Sequence, residues 1–477
     1  MTPSIRPCGD TSSPWVQVNL ATCFLHFSLK KAVTEELLPL LDSLAAENAP
    51  AVASLSIGPK ILGKHLVLLA DPDAIAEFSS HPNSFIRSKS EQAKFSKLLS
   101  PLCAIALSEG DIWRKHTKIM TKFYHARNLE RVVDAFEGHV DVFLDALEDG
   151  RKPFMELMNQ LSLDIILDVA FSQKTKSPKL VSAVRQIFGA LKDAVFTEGH
   201  KLQVPASHYE ALDIVRVFVA DCLKERLETS PEEWPADFLS LFATQMADHC
   251  GEDSLTGFSI EEVVGELSMV LLAGMETTAH TLGFLVQHLA ENQGAQEKLR
   301  AEIDDKLGRL RVPSYSDVHE MPFLKACLEE SQRLDPVAIW VSRVVTKEMS
   351  LGKFHLSTGT TVIINNYTMS RRESLFSEAL KYRPERWLER ERGASSLDHV
   401  PFGIGLRSCQ GKQLARTEIC YILSRILQRF EIQRTGEAFR KSINFTLTPH
   451  TTVQFIQREI DIQEERVAED FDLKVSM

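Results

Sequence analysis

No two of the eight cysteines (Cys8, Cys23, Cys103, Cys222, Cys250, Cys327, Cys409 and Cys420) form a C-x-x-C pair. Scattered along 477 residues, they suit a reducing compartment better than a disulfide framework, and most are expected as small buried hydrophobes. An excess of positive charge is also lacking. A formal net charge of -11 leaves no general attraction for nucleic acid, although a local basic patch is still allowed. Near the N-terminus no run is apolar enough to span a bilayer. The best stretch, residues 15–27, is broken by Gln17, Asn19, Thr22 and His26 and falls short of the ~20 apolar residues required. No basic segment leads into a clean apolar run there, which argues against a secretory signal. Arg6 and several Ser/Thr around Asp10 would suit a transit peptide, so residues 1–50 are set apart as a targeting or peripheral segment. Internal repeats and low-complexity tracts are missing as well.

What is there is the composition of a globular protein, 44% hydrophobic and 8% aromatic. The length exceeds the ~250–300 residues at which one core usually stops growing. Two ordinary domains, or one large domain around a buried cofactor, both satisfy it. Alternation at Ala53, Leu55 and Ile57, then Gly58-Pro59 and a second apolar run, predicts a hairpin over 52–69. The apolar period predicts helices over 113–147, 157–170, 177–196 and 214–227, with Ser177 as N-cap and Pro178 at the first helical position. Residues 199–207 read as a loop. A run over 260–289, apolar on nearly every face after an acidic start, predicts a central buried helix. A helix over 322–334 is stopped by Asp335-Pro336. Strand-rich sequence follows over 341–364, irregular chain over 382–411, and a last helix over 414–430. The expected class is mainly α with small β-sheets (α+β), and the acidic tail at 458–477 is expected to be solvated.

Chemistry concentrates at Pro401-Phe402-Gly403-Ile404-Gly405-Leu406-Arg407-Ser408-Cys409-Gln410-Gly411. Three glycines in nine residues cost backbone entropy, so this loop needs unusual dihedrals or a close approach. A thiolate bound to a metal needs such a loop, with N–H groups aimed at the sulfur and a flat macrocycle against the chain. The helix that follows favours the thiolate through its N-terminal dipole. Arg407 suits a carboxylate, and Phe402 would shield the sulfur. The plainer alternative is a glycine-rich turn holding an incidental cysteine.

The central helix carries Ala273-Gly274-Met275-Glu276-Thr277-Thr278. A Gly inside a helix costs roughly 1 kcal/mol. The Thr277 hydroxyl can bond back to the Ala273 carbonyl and open the helix locally. The small residues Ala273 and Gly274 would then leave a notch for a diatomic ligand, with Glu276 and Thr277 as an acid–alcohol proton relay. The ordinary alternative is a kinked core helix with Glu276 facing solvent.

The loop pattern F-x-x-G-x-R-x-C-x-G, with five fixed positions in ten residues, resembles the haem-binding signature of the cytochrome P-450 superfamily. The A-G-x-[DE]-T-T stretch matches that family's oxygen-activation motif. The resemblance spans roughly residues 52–452 and implies a haem b lying between a long distal helix and a proximal Cys-loop helix. It makes Cys409 the axial iron ligand, whose thiolate favours O–O cleavage. It implies cofactor contacts at Phe402, Gly405, Arg407, Gly411, Ala273 and Gly274. Glu330-Ser331-Gln332-Arg333 would ordinarily be a surface pair worth little. The resemblance instead implies that Glu330 and Arg333 are buried and completed by Arg386, in a structural role. It also implies a propionate-binding Arg343. Trp113 matches a W-x-x-x-R helix start, with core packing as the plainer alternative, but Thr117 stands where the Arg belongs, so His116 is either the residue that takes over that contact or a surface histidine.

Residues 51–457 are thus expected to form a catalytic domain. The implied activity is a monooxygenase that inserts one atom of O2 into a hydrophobic small molecule, such as a sterol or fatty acid. The apolar run Val337, Ala338, Ile339, Trp340 and Val341 supports such a substrate. The segment from Glu330 to Glu418 looks closest to mitochondrial-type members, implying a ferredoxin as electron donor, with an NADPH-dependent reductase as the alternative. Lys325 matches one expected donor contact, Glu329 stands where a second Lys is common, and Lys412 and Arg416 could contribute. A haem-thiolate isomerase or dehydratase, or a non-catalytic haem protein, would also keep Cys409.

Overall fold

The computed structural model describes residues 64–459 apart from 100–103, 125, 174–176, 196–201, 248–257, 352–353 and 390–396. Residues 52–57 and a few isolated positions before them are also described. The expectations for residues 1–50, for most of the acidic tail and for the turn at Gly58-Pro59 therefore lie outside the described residues.

A helix of 32 residues, Ile260–Glu291, forms the axis of the molecule. It starts with a reciprocal cap. The Ser259 hydroxyl accepts from the Glu262 N–H at 3.1 Å, and the Glu262 carboxylate accepts from the Ser259 N–H at 2.8 Å. It is the one helix among the described residues long and apolar enough to cross a membrane, yet most of it is buried among other helices. Helix Phe154–Phe171 packs along it most extensively. That approach needs glycine: a Cβ on Gly274 would sit 2.9 Å from Ile166 Cγ1, and one on Gly283 would sit 2.6 Å from Met155 Sδ.

The other helices follow the predicted pattern with shifted ends. Pro322–Leu334 is a helix with the predicted limits, and Pro178–Val195 begins where Ser177 Oγ accepts from Leu180 N–H at 3.3 Å. The helix expected from 214 starts at Ala206, inside the segment read as a loop. The single helix expected over 113–147 is three helices, Gly110–Phe123, Ala126–Asp134 and Phe136–Asp149. Buried positions keep a helical spacing from Leu129 through Phe136 to Leu147, so the period alone could not show the second joint.

The main sheet gathers strands from both ends of the chain. Val52–Ile57 pairs antiparallel with Lys64–Leu69, which runs parallel to Thr361–Asn365, and Trp340–Val345 then pairs antiparallel with that strand. A hairpin of Arg440–Ile443 and Leu447–His450 lies against the central helix. The last helix, Lys412–Arg429, also packs against that axis, and the cysteine loop leads into it.

Candidate active site

A cavity of about 680 Å³ separates the central helix from the cysteine loop. On one wall stand Thr277, Thr278 and Thr281, and on the other Phe402, Gly403, Gly405, Arg407 and Cys409. Trp113, Arg343, Val337, Ala338 and Val341 complete its edges.

The loop owes its shape to its glycines. Gly403 and Gly405 take φ of 71° and 64°, a left-handed conformation that costs other residues energy. The chain then turns back so that Cys409 N–H donates to the Phe402 carbonyl at 2.8 Å. Cys409 keeps exposed surface, which opens onto the cavity, although protein encloses it on its other sides. That enclosure pushes the thiol up, while an N–H bond from Gly411 and the charge of Lys412 pull it down. Gly411 does not line the cavity; a Cβ there would meet the Tyr124 hydroxyl at 3.4 Å, so its role is to let that ring close on the loop.

On the distal wall, the Thr277 hydroxyl donates to the Ala273 carbonyl at 2.8 Å, the back-bond expected from sequence, and Thr281 repeats it onto Thr277 at 2.8 Å. Ala273 is exposed, but neither it nor Gly274 is a lining residue. Gly274 faces Ile166 of the neighbouring helix, so its missing side chain serves helix packing rather than a ligand notch. Glu276 turns from the cavity lining toward the hairpin, where Thr446 donates to it at 3.2 Å. Burial lifts its carboxyl to about 7, against the Thr446 bond.

Three guanidinium groups gather near one edge, Arg87, Arg343 and Arg407, and the Glu109 carboxylate accepts from the Arg407 guanidinium and from the backbone N–H of Arg87. Arg407 lies 3.9 Å over the Trp113 ring, donates to the Ser108 carbonyl at 3.0 Å and pairs with Glu109. Its Nη1 is buried with no hydrogen-bond partner. Burial and the charges of Arg407 and Arg343 bring Arg87 down to about 10. An excess of half-buried cation with an orphaned donor is what a haem with two propionates would satisfy. The residues present fit the group: Cys409 for the iron, Arg407 and Arg343 for the propionates, and Phe402, Gly403 and Trp113 for the ring. Arg87 and Glu109 were missed from sequence, because neither belongs to a motif and only folding brings them to Arg407.

His116 is a correction. It is fully buried outside the cavity lining, with Nε2 3.2 Å from Glu262 Oε1 and its ring 4.8 Å edge-on to Phe258. Its Nδ1 lies 2.9 Å from Glu266 Oε1, ion-pair distance at an angle that falls short of a hydrogen bond. Two carboxylates thus lie against it at the first turns of the central helix, outside the cavity where the propionate contact is expected.

Glu330 and Arg333 are fully buried and joined by bonds of 2.8 and 2.9 Å. Arg386 Nε donates to Glu330 at 3.0 Å, Trp387 Nε1 at 2.9 Å and Arg383 N–H at 2.8 Å. Burial alone would raise the Glu330 carboxyl; Arg333, Arg383 N–H and Arg386 together hold it below its ordinary value. On the proximal surface Arg416 is engaged by Glu329 at 2.5 Å, and His399 reaches the same carboxylate at 3.1 Å. Lys325 donates to the His319 carbonyl at 2.8 Å. Of the apolar run, Val337, Ala338 and Val341 line the cavity, whereas Ile339 is buried in a satellite core with Leu68 and Phe284.

Residues 57–456 match the family described as Cytochrome P450. The chain is 32% identical over 324 residues to the mitochondrial 1,25-dihydroxyvitamin D(3) 24-hydroxylase of Mus musculus, covering 65% of this chain and 61% of that protein. It therefore spans less than two thirds of that relative's length. It is 36% identical over 211 residues to the mitochondrial sterol 26-hydroxylase of Rattus norvegicus, covering 42% of this chain and 40% of the relative. Among solved structures, the cytochrome P450DA heme domain superposes with a TM-score of 0.79 at 18% identity, covering 92% of this chain and 97% of that one, a likeness of fold.

Proposed function

Because the chain belongs to the cytochrome P450 family, we propose that it is a haem-thiolate monooxygenase that inserts one atom of O2 into a hydrophobic, sterol-like small molecule. The observation that carries this reading is the opposition of Cys409 and Thr277 across one cavity, with the orphaned Arg407 nitrogen at its edge. A thiolate-ligated haem, when bound, supplies the activation of dioxygen.

The chain's own residues do the rest. Cys409 would hold the iron, and the Gly411 N–H donates to its sulfur. Arg407 and Arg343 would hold the propionates of that haem. Thr277 places a hydroxyl at the distal wall, and Glu276, one residue before it, stores a proton near neutral pH. Val337, Ala338, Val341 and Ile364 present an apolar wall that orients the substrate and excludes water. The sterol-like substrate is supported by that wall and by the likeness to a 1,25-dihydroxyvitamin D(3) 24-hydroxylase and a sterol 26-hydroxylase. The mitochondrial relatives support a mitochondrial location, and a ferredoxin-type electron donor is the one that the segment from Glu330 to Glu418 suggests. With Arg416 held by Glu329, such a donor would rely on Lys325 and Lys412.

The test is the difference spectrum of the reduced protein with carbon monoxide. The red-shifted Soret band of a thiolate-ligated haem is expected, and Cys409→Ser abolishes it. A purified, haem-loaded wild type without that band would overturn the reading.

A further inference from the structure

The hydroxyl of Thr446 stands between two side chains of the central helix. Its Oγ1 lies 3.2 Å from Glu276 Oε2 and 2.8 Å from His280 Nδ1. Glu276 and His280 are one helical turn apart and share a face. Thr446 sits in the turn between strands Arg440–Ile443 and Leu447–His450. Its carbonyl accepts from Asn444 N–H at 2.9 Å and from the Thr448 hydroxyl at 3.3 Å. Asn444 Nδ2 also donates to Thr448 Oγ1 at 2.8 Å, so the turn is pinned. His280 and Thr446 are both buried.

A hydroxyl has one proton and cannot donate both ways at once. With Glu276 ionised, Thr446 donates to the carboxylate and accepts from His280, which requires hydrogen on Nδ1. With Glu276 protonated, the carboxyl donates to Thr446, and the hydroxyl turns to donate to a bare Nδ1. We propose that Thr446 and His280 are positioning residues for Glu276: the shared hydroxyl holds the carboxyl on the hairpin side of the helix and ties its protonation to the tautomer of His280. Their bearing on turnover rests on the monooxygenase reading, in which Glu276 has a proton to give.

The surroundings agree with a one-proton unit. Burial, with the charge of His450 on the neighbouring strand, brings His280 down to about 4, so near neutral pH it changes tautomer rather than charge. His450 is the one titratable neighbour that weighs on His280, and none weighs on Glu276 among the described residues. Glu276 itself changes charge near neutrality.

The experiment is heteronuclear NMR of isotope-labelled histidine in the full-length, haem-loaded protein, in its diamagnetic ferrous carbon-monoxide form. His280→Asn assigns the signal. At alkaline pH the wild type is expected to show His280 as the Nδ1–H tautomer, which an isolated imidazole disfavours. Thr446→Val and Glu276→Ala each return it to Nε2–H, whereas Thr446→Ser keeps Nδ1–H and serves as the test if the Val variant does not fold. Nε2–H in the alkaline wild type, Nδ1–H surviving in Thr446→Val, or its loss in Thr446→Ser overturns the proposal. The carbon-monoxide band is read on the same samples: its absence from the wild type counts against the monooxygenase reading and not against the bridge.

Discussion

Glu330→Ala removes a carboxylate that accepts from Arg333, Arg386, Trp387 and the Arg383 N–H, all between 2.8 and 3.0 Å. Arg333 and Arg386 are then buried without a counter-charge. Breaking a buried pair from one side costs about 3–5 kcal/mol, a large part of the roughly 5–15 kcal/mol that holds a protein folded. Glu330→Gln keeps one acceptor but turns an amide N–H toward a guanidinium, so about half that loss is expected. Urea unfolding followed by tryptophan fluorescence, with Trp387 inside the network, measures both. The double variant Glu330→Leu with Arg333→Met decides between two accounts. If the pair were only a charge problem, matched apolar side chains would restore most of the stability. Arg333 also donates to the carbonyls of Ser370 and Ala379, both at 2.6 Å, and of Lys381 at 3.1 Å, so the double variant leaves these acceptors bare. It is therefore expected to stay at least as unstable as Glu330→Ala. A double variant with wild-type stability refutes the reasoning that Arg333 ties this irregular backbone to the Glu330 helix.

Thr277→Ala removes the distal hydroxyl and is expected to divert reducing equivalents to hydrogen peroxide, measured as peroxide formed per NADPH consumed; unchanged coupling removes Thr277 from the proton path. Gly274→Ala places a Cβ 2.9 Å from Ile166 Cγ1 and should cost about 1–3 kcal/mol in urea unfolding, with a non-additive partner in Ile166→Ala. Glu418 is buried with Oε1 unpartnered, and burial raises its carboxyl to about 8. The folded protein therefore holds a proton that the unfolded chain has lost, and stability falls as pH rises from the ordinary carboxyl value through that of the folded state. Glu418→Gln should flatten that fall and be more stable by up to about 5 kcal/mol at alkaline pH; a parallel fall in both proteins denies the burial cost. Arg407→Lys gives up the stack on Trp113 and the fork-shaped donor set, so slower haem loading and faster haem loss are expected, read from the Soret absorbance over time.

The class of the protein was already decided by local sequence. Cys409 needs Gly403 and Gly405 at positive φ before it and a helix after it, and all of these lie within a few residues of one another. Thr277 needs only the carbonyl of Ala273 one turn back. A buried helix over 260–289 is legible because no face is polar enough to meet water. The pairing of Glu330 and Arg333 is likewise one turn long. Contacts that join distant parts of the chain were not legible this way. Gly274 reads as a notch until Ile166 arrives from another helix. His116 reads as a propionate contact until Glu262 and Glu266 are seen beside it. Arg87 and Glu109 meet Arg407 only after folding, and Glu276 finds Thr446 across 170 residues of chain. Short-range sterics and capping act between neighbours and leave a mark in the order of residues. Burial and charge pairing depend on which surfaces meet, and that is settled by the packing of the whole chain.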